Sequence, residues 1–202
     1  MAGRDWAARR RRPAPATPDA GLARDADTDD ARLARGDAAG FITLYRRHLP
    51  AVYRYAYARL GNRQDAEDLA ALTFERAWAQ RGRYDASGPY RGWLFGIAHR
   101  AVVDQWRQGR PDTTPVEALA GVLPDPAAGP EAAALTAEER ALAARLLAAL
   151  RPAQREILAL RFFAGLPYDA IAGVVGKRTP AVKMLAYRAL DTLRRRYPDD
   201  RS

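Results

Sequence analysis

Lys183, Met184, Tyr187 and Arg188 fall within six residues, and helical spacing puts them opposite an apolar stripe of Val182, Leu185, Ala186, Ala189 and Leu193. Cations that donate hydrogen bonds in pairs, beside an aromatic and a thioether, suit the reading of DNA base edges and phosphates, and Arg178 and Thr179 stand just before them. A second group comprises Tyr84, Asp85, Ser87, Tyr90 and Arg91, with His99 and Arg100 two turns further on. Interleaved rings and cations are what single-stranded nucleic acid requires, because cations follow phosphates while rings stack on unpaired bases. Glu67 and Asp68 are paired carboxylates of the kind used in acid–base catalysis. They stand at a helix start, however, where the helix dipole favours negative charge, and no nucleophile or metal-ligand cluster accompanies them in the sequence. The chain therefore reads as a binding protein with no catalytic residues, metal or cofactor.

The first group needs a rigid mount, and residues 151–197 supply one. Pro152 opens a helix in which Ile157, Leu158, Phe162 and Phe163 recur at helical steps until Gly165. Pro167 and Asp169 occupy the first turn of a second helix, with Ile171, Val174 and Val175 inward and Gly176 at the position for a left-handed cap. Thr179 followed by Pro180 is a hydroxyl cap with proline at the first helical position. Two short helices around a glycine turn, the second presenting cations, predict a helix-turn-helix whose last helix enters the major groove.

Composition agrees with a polyanionic partner: 33 Lys and Arg against 24 acids in 202 residues give a formal charge of +9. The absence of cysteine removes disulfides, thiol chemistry and Cys-based zinc sites. No apolar run approaches a membrane span and the Arg-rich start is not followed by a signal-peptide core, so a soluble cytoplasmic protein is expected.

Residues 1–28 lack periodicity and read as a disordered basic tail. From Asp37 a helical stripe runs through Phe41, Leu44, Tyr45 and His48, and it resumes after Pro50 until Gly61. Asn62 caps a third helix, with Asp65, Glu67 and Asp68 at its start and an end at Gly82. A Ser-Gly-Pro loop, Arg83 to Gly92, leads into a helix from Trp93 to Gln108. That helix carries rings and cations on more than one side: Trp93, Leu94, Ile97 and Ala101 form one stripe, and Phe95, His99, Val102 or Val103, and Trp106 another, with Arg91, Arg100 and Arg107 alongside. Residues 111–134 form a Pro-, Ala- and Asp-rich linker without a basic residue, and Thr136 with Glu139 makes a capping box for a helix from Ala137 to Leu150. The expected architecture is all-α: a helical domain over 29–110, a flexible linker over 111–134 and a helix-turn-helix domain over 135–202.

The segments AEDLAALTFERAW (66–78), YDASGPYRGWLFGIAHRAVVDQWR (84–107) and LRPAQREILALRFFAGLPYDAIAGVVG (150–176), followed by AVKMLAYRAL (181–190), resemble an extracytoplasmic-function bacterial sigma factor. The resemblance implies a sigma-2 domain that holds core RNA polymerase and opens the minus-ten promoter element, then a sigma-4 domain that reads the minus-thirty-five element. It assigns Arg178, Thr179, Lys183, Met184, Tyr187 and Arg188 to the upstream duplex. It assigns Tyr84, Asp85, Ser87, Tyr90, Arg91, His99 and Arg100 to the melted strand, and Asp68, Leu72, Glu75 and Trp78 to polymerase. It also leaves room for an anti-sigma factor. The chain departs from the family pattern at Ala71 and Leu72, at His99-Arg100, at Ala181, Met184 and Leu185, and at Pro167.

Two other readings remain open: a stand-alone helix-turn-helix regulator with residues 37–107 as an effector or dimerising lobe, and an interaction module that docks protein through its basic faces. The linker composition carries a prediction of its own. Limited proteolysis is expected to cut between Pro111 and Ala134 and to leave two helical fragments on a gel, whereas loss of both lobes together without a stable fragment would contradict it.

Overall fold

The computed structural model describes residues 29–107 and 149–196, and every regular element among them is helical. The basic tail, the 111–134 linker and nearly all of the helix expected from Ala137 lie outside the described residues.

Helix α1 spans Ala38–Leu60. Asp37 opens it by accepting the N–H groups of Ala39 and Gly40 at 3.1 Å each, and Gly61, at φ 81°, closes it in the left-handed conformation that glycine adopts freely. Pro50 lies inside the helix and does not divide it, because Leu44, His48, Ala51, Val52 and Tyr55 are buried on either side of it and packing holds the axis together. A helical turn at 29–34 folds back on α1. A Cβ on Gly40 would lie 2.8 Å from the Leu33 carbonyl oxygen, so only glycine permits this approach. Asp30, buried in that turn, pairs with His48 Nε2 at 2.7 Å and with Arg47.

Helix α2 spans Arg63–Ala79, with Asn62 accepting the Asp65 N–H at 2.8 Å. It stops at Ala79, short of Gly82, and a 3-10 turn at Arg81–Arg83 follows. Helix α3 spans Tyr90–Arg107 and so begins three residues before the expected Trp93. The Trp93 N–H reaches the Pro89 carbonyl at 3.3 Å, which places Tyr90, Arg91 and Gly92 in the first turn. After the undescribed interval come α4 (Pro152–Phe162), α5 (Tyr168–Val175) and α6 (Thr179–Arg196). Gly176, at φ 63°, ends α5, and the Arg178 carbonyl accepts from Ala181 and Val182, so Thr179 is the first residue of α6 and not its cap.

Within the first lobe, α1, α2 and α3 bury Leu44, Val52, Tyr55, Leu69, Phe74, Leu94 and Ile97, and the Tyr55 and Phe95 rings meet edge to face at 5.6 Å. Ile157, Leu160, Leu166, Ile171, Val182 and Ala186 of the second lobe belong to the same buried cluster, and α3 packs against α1, α2 and α5 together. This explains the two apolar sides of α3, where Phe95 and Val102 are as buried as Leu94 and Ile97. A smaller group, Leu150, Leu158 and Ala189, joins α4 to α6. Leu94→Ala is expected to destabilise the protein by about 2–5 kcal/mol in chemical unfolding, whereas Ile42→Ala, at a half-exposed site, should change stability by no more than about 0.5 kcal/mol. Equal losses would contradict this packing.

Candidate nucleic-acid interface

Three inward residues set the orientation of α6. Val182, Ala186 and Ala189 are buried and seat the helix in a cluster with α4 and α5. The opposite side is open: Lys183 and Arg188 are exposed, as are Met184 at 51% and Tyr187 at 70%. Arg178 is exposed and Thr179 half-buried at the N-terminal end of the same helix. An exposed large aromatic between two cations is unexplained by folding and fits docking onto DNA.

The loop between α2 and α3 is held in one shape by its own polar groups. Tyr84 donates its hydroxyl to the Gly88 carbonyl at 2.9 Å, the Ser87 N–H donates to Asp85 Oδ1 at 2.9 Å, and Arg35 donates to the Asp85 carbonyl at 3.0 Å. The hydrogen bond from Ser87 lowers the Asp85 carboxyl below its ordinary value. Ala86 sits at φ 57°, a left-handed position uncommon for a residue with a side chain. Tyr84 and Tyr90, expected to meet bases directly, are both buried and form a ring cluster with Trp93 at centroid distances of 5.4–5.6 Å. Burial raises the Tyr90 phenol well above its usual value. These rings are the floor of the loop, and Asp85, Ser87 and Arg100 are the expected strand residues left exposed. Beside the loop lies an open cleft of about 300 Å³, walled by Ser87, Trp93 and Arg100 on one side and by Ala170, Gly173 and Val174 of α5 on the other.

His99 and Arg91 are engaged by the second lobe. Arg91 donates to the Ala164 carbonyl at 2.5 Å, and a Cβ on Gly165, which has φ 64°, would come within 2.9 Å of the same guanidinium. His99 Nδ1 lies 2.9 Å from Glu156 Oε1, and a carboxylate acceptor requires that nitrogen to donate. Tyr55 donates to the same oxygen at 2.7 Å, while Arg59 Nε lies 2.6 Å from Oε2. Glu156 is 6% exposed and Arg59 4%. Burial opposes the charged form of Glu156, but the hydrogen bond from His99 and the charge of Arg59 outweigh it and hold the carboxyl below the ordinary glutamate value. Burial, with Glu156 alongside, raises the Tyr55 phenol, which stays protonated and donates. Arg59 also lies 4.4 Å above the Trp106 ring.

Sequence periodicity did not single out Tyr55, Arg59 or Glu156. The available signal was an acid and a base at core registers of different helices: Arg59 continues the stripe Val52, Tyr55, Ala56, and Glu156 precedes Leu160 by one turn.

Of the residues expected to face polymerase, Asp68, Glu75 and Trp78 are exposed on α2, and Leu72 packs partly into the core. Trp78 lies between Phe41, at a 5.0 Å centroid distance, and the Arg81 guanidinium, 3.8 Å above its ring.

The family model for Sigma-70 region 2 matches residues 44–111, and that for Sigma-70, region 4 matches residues 140–193. The ECF RNA polymerase sigma factor BldN of Streptomyces coelicolor is 36% identical over 186 residues, covering 87% of this chain and 69% of that protein. The chain belongs to the ECF RNA polymerase sigma factors. Among solved structures, CnrH in complex with the cytosolic domain of CnrY is 26% identical with a TM-score of 0.62, covering 84% of this chain and 95% of that one. The Bartonella quintana sigma factor RpoE in complex with the anti-sigma factor NepR is 25% identical with a TM-score of 0.61, covering 80% and 98%. The stand-alone regulator reading falls away, because the chain matches region 2 as well as region 4 and its relatives are ECF RNA polymerase sigma factors.

The inter-lobe ion pair sets a pH dependence. The depressed pKa of Glu156 makes its contribution to docking fully present above the free-glutamate value of about 4.3, and lost as pH falls through the lower value of the docked state. Small-angle scattering is expected to show the sigma factor expanding over that acidic window. Glu156→Gln should lack this component, and identical pH profiles for variant and wild type would contradict it.

Proposed function

We propose that this sigma factor, which brings core RNA polymerase to promoter DNA, reads the upstream duplex with the exposed face of α6 and holds the melted strand at the 84–89 loop and the start of α3. The observation that carries the reading is the division of α6 between a buried apolar side and an open side of Lys183, Met184, Tyr187 and Arg188. Arg178 and Thr179 extend that side toward phosphate. On the first lobe, Asp85, Ser87 and Arg100 meet the strand directly, Arg91 and His99 join once freed from the second lobe, and Tyr84 and Tyr90 support the loop from below. Asp68, Leu72, Glu75 and Trp78 contact polymerase through α2.

The domain limits follow the same division, with a region 2 lobe over 29–110 and a region 4 lobe over 135–202. The sigma factor contributes recognition and strand capture, and polymerase contributes the chemistry. No helix among the described residues is long and apolar enough to cross a membrane, and we assign the protein to the cytoplasm with its polymerase. The complex of RpoE with NepR supports an anti-sigma factor as a further partner.

Holoenzyme footprinting on a promoter selected with the wild-type protein tests both halves of this reading. Arg188→Ala is expected to weaken closed-complex binding by about 1–3 kcal/mol if the guanidinium makes a bidentate base contact. Ser87→Ala with Arg100→Ala, both at exposed sites, should leave the closed complex intact, lower permanganate reactivity of the opened thymines, and recover on a template with a pre-melted bubble. Unchanged duplex preference in the first variant, or unchanged opening in the second, would refute the corresponding half.

A further inference from the structure

Of the 33 cationic side chains in the sequence, 31 are arginine, and the two lysines stand close together at Lys177 and Lys183. Lys177 lies in the turn that joins α5 to α6, and Lys183 lies on the open side of α6 beside Met184, Tyr187 and Arg188. We propose that these two amines are a site of acylation by an acyl phosphate, and that their conversion to neutral amides releases the upstream duplex without disturbing the fold. The effect on DNA rests on the assignment of α6 to the duplex made above; the site of modification stands independently of it.

A guanidinium is too strongly basic to lose its proton in a protein and so does not take an acyl group, whereas an ammonium that gives up a proton becomes a nucleophilic amine. Apart from any chain-terminal amine, this chain therefore offers amine chemistry at two points, both on the surface assigned to duplex DNA. Arginines carry the polar contacts that hold the fold: Arg47 pairs with Asp29 and Asp30, Arg59 with Glu156 and Arg76 with Asp104, while Arg35 and Arg91 donate to backbone carbonyls. Lys177 and Lys183 are exposed, and neither ammonium has an ion pair or hydrogen bond among the described residues. The Lys177 backbone N–H donates to the Ala172 carbonyl at 2.9 Å, and Lys183 rides on a helix seated by Val182, Ala186 and Ala189, so the main chain is fixed at both positions. An amide in place of either ammonium breaks no contact of that frame.

The surroundings favour an anionic donor. Arg178 is exposed next to Lys177, and Arg188 lies on the same side of α6 as Lys183, so a phosphate-bearing reagent is drawn to the two amines by the charge that would draw DNA phosphate. In the reaction the unprotonated Nζ attacks the acyl carbonyl carbon. The C–N bond forms, the C–O bond to phosphorus-bound oxygen breaks, inorganic phosphate leaves with the bonding electrons, and the proton displaced from nitrogen goes to that phosphate. Each amide removes one positive charge and one phosphate contact, which lowers the slope of log affinity against log salt by about one. Hydrolysis of the amide returns the lysine, so the mark is reversible.

The test treats the intact sigma factor with acetyl phosphate, removes the reagent, maps the acetyl groups by mass spectrometry, and adds untreated core RNA polymerase and a promoter selected with the wild-type protein. Side-chain acetylation is expected at Lys177 and Lys183, faster at low salt than at high salt, with helical circular dichroism unchanged. Closed-complex binding should weaken at least about tenfold and its salt slope fall by about two. In Lys177→Arg/Lys183→Arg, whatever its own affinity, treated and untreated samples should bind alike, because any acylated chain terminus is common to both proteins. Lysines that stay unmodified, or helicity lost on treatment, would overturn the site, and acetylation indifferent to salt would overturn the anionic donor. An equal loss of binding in the arginine variant would overturn the assignment to lysine. Acetylation without loss of duplex binding would overturn the release where Arg188→Ala still weakens the closed complex. Where Arg188→Ala also binds normally, the assignment of α6 fails and the release with it, and the mapped acetyl groups still report the site separately.

Discussion

A carboxylate that is 6% exposed must be satisfied by the protein around it, and the partners Glu156 finds determine how the two halves of this sigma factor sit together. Tyr55 and Arg59 reach it from α1 and His99 from α3, so one side chain of α4 joins two helices of the other lobe. Those partners are themselves fixed in the first lobe's core, Tyr55 against the edge of Phe95 and Arg59 over Trp106. Leaving one member of such a set without its partner costs about 3–5 kcal/mol, which is large beside the 5–15 kcal/mol stability of a typical domain. The ion pair thus fixes position; the apolar contacts of α5 on α3 supply the area.

What the sequence made legible follows from what periodicity and caps record. The caps at Asp37 and Asn62 and the glycine stops at Gly61 and Gly176 lie in the structure where their chemistry requires, because each depends only on near neighbours. The division of α6 into buried and open sides was legible for the same reason. Pro50 misleads because local rules penalise it, whereas packing along α1 decides. Rings interleaved with cations beside a Ser-Gly-Pro loop point to Tyr84 and Tyr90 as strand contacts. Composition does not reveal that a loop ring points inward, and these two are held with Trp93 under the loop. Glu156 and Arg59 escaped because apolar periodicity records only apolar residues, and a buried ion pair between distant helices leaves no local trace.

The second apolar side of α3 was a trace of the missing information. A helix packed on one neighbour needs one stripe, while α3 has two and is in contact with α1, α2 and α5. Read physically, the excess of apolar residues and rings on α3 reports a surface with more than one occupant. Phe95 and Val102 serve the core, and Trp93, Arg100 and the loop edge line an open cleft whose other wall is α5.

The shape of the loop limits how that cleft can work. Tyr84 to Gly88, Asp85 to Ser87 and Arg35 to Asp85 are bonds within the first lobe, made without any group from the second. The left-handed Ala86 belongs to the same closed set, and a backbone conformation of that cost persists only where surrounding bonds over-determine it. The loop therefore takes its shape without the second lobe. A ligand that meets a loop so preorganised need not also order the chain that receives it. What the second lobe adds to the first is the Glu156 contacts and the packing of α5 on α3, not the folding of the loop.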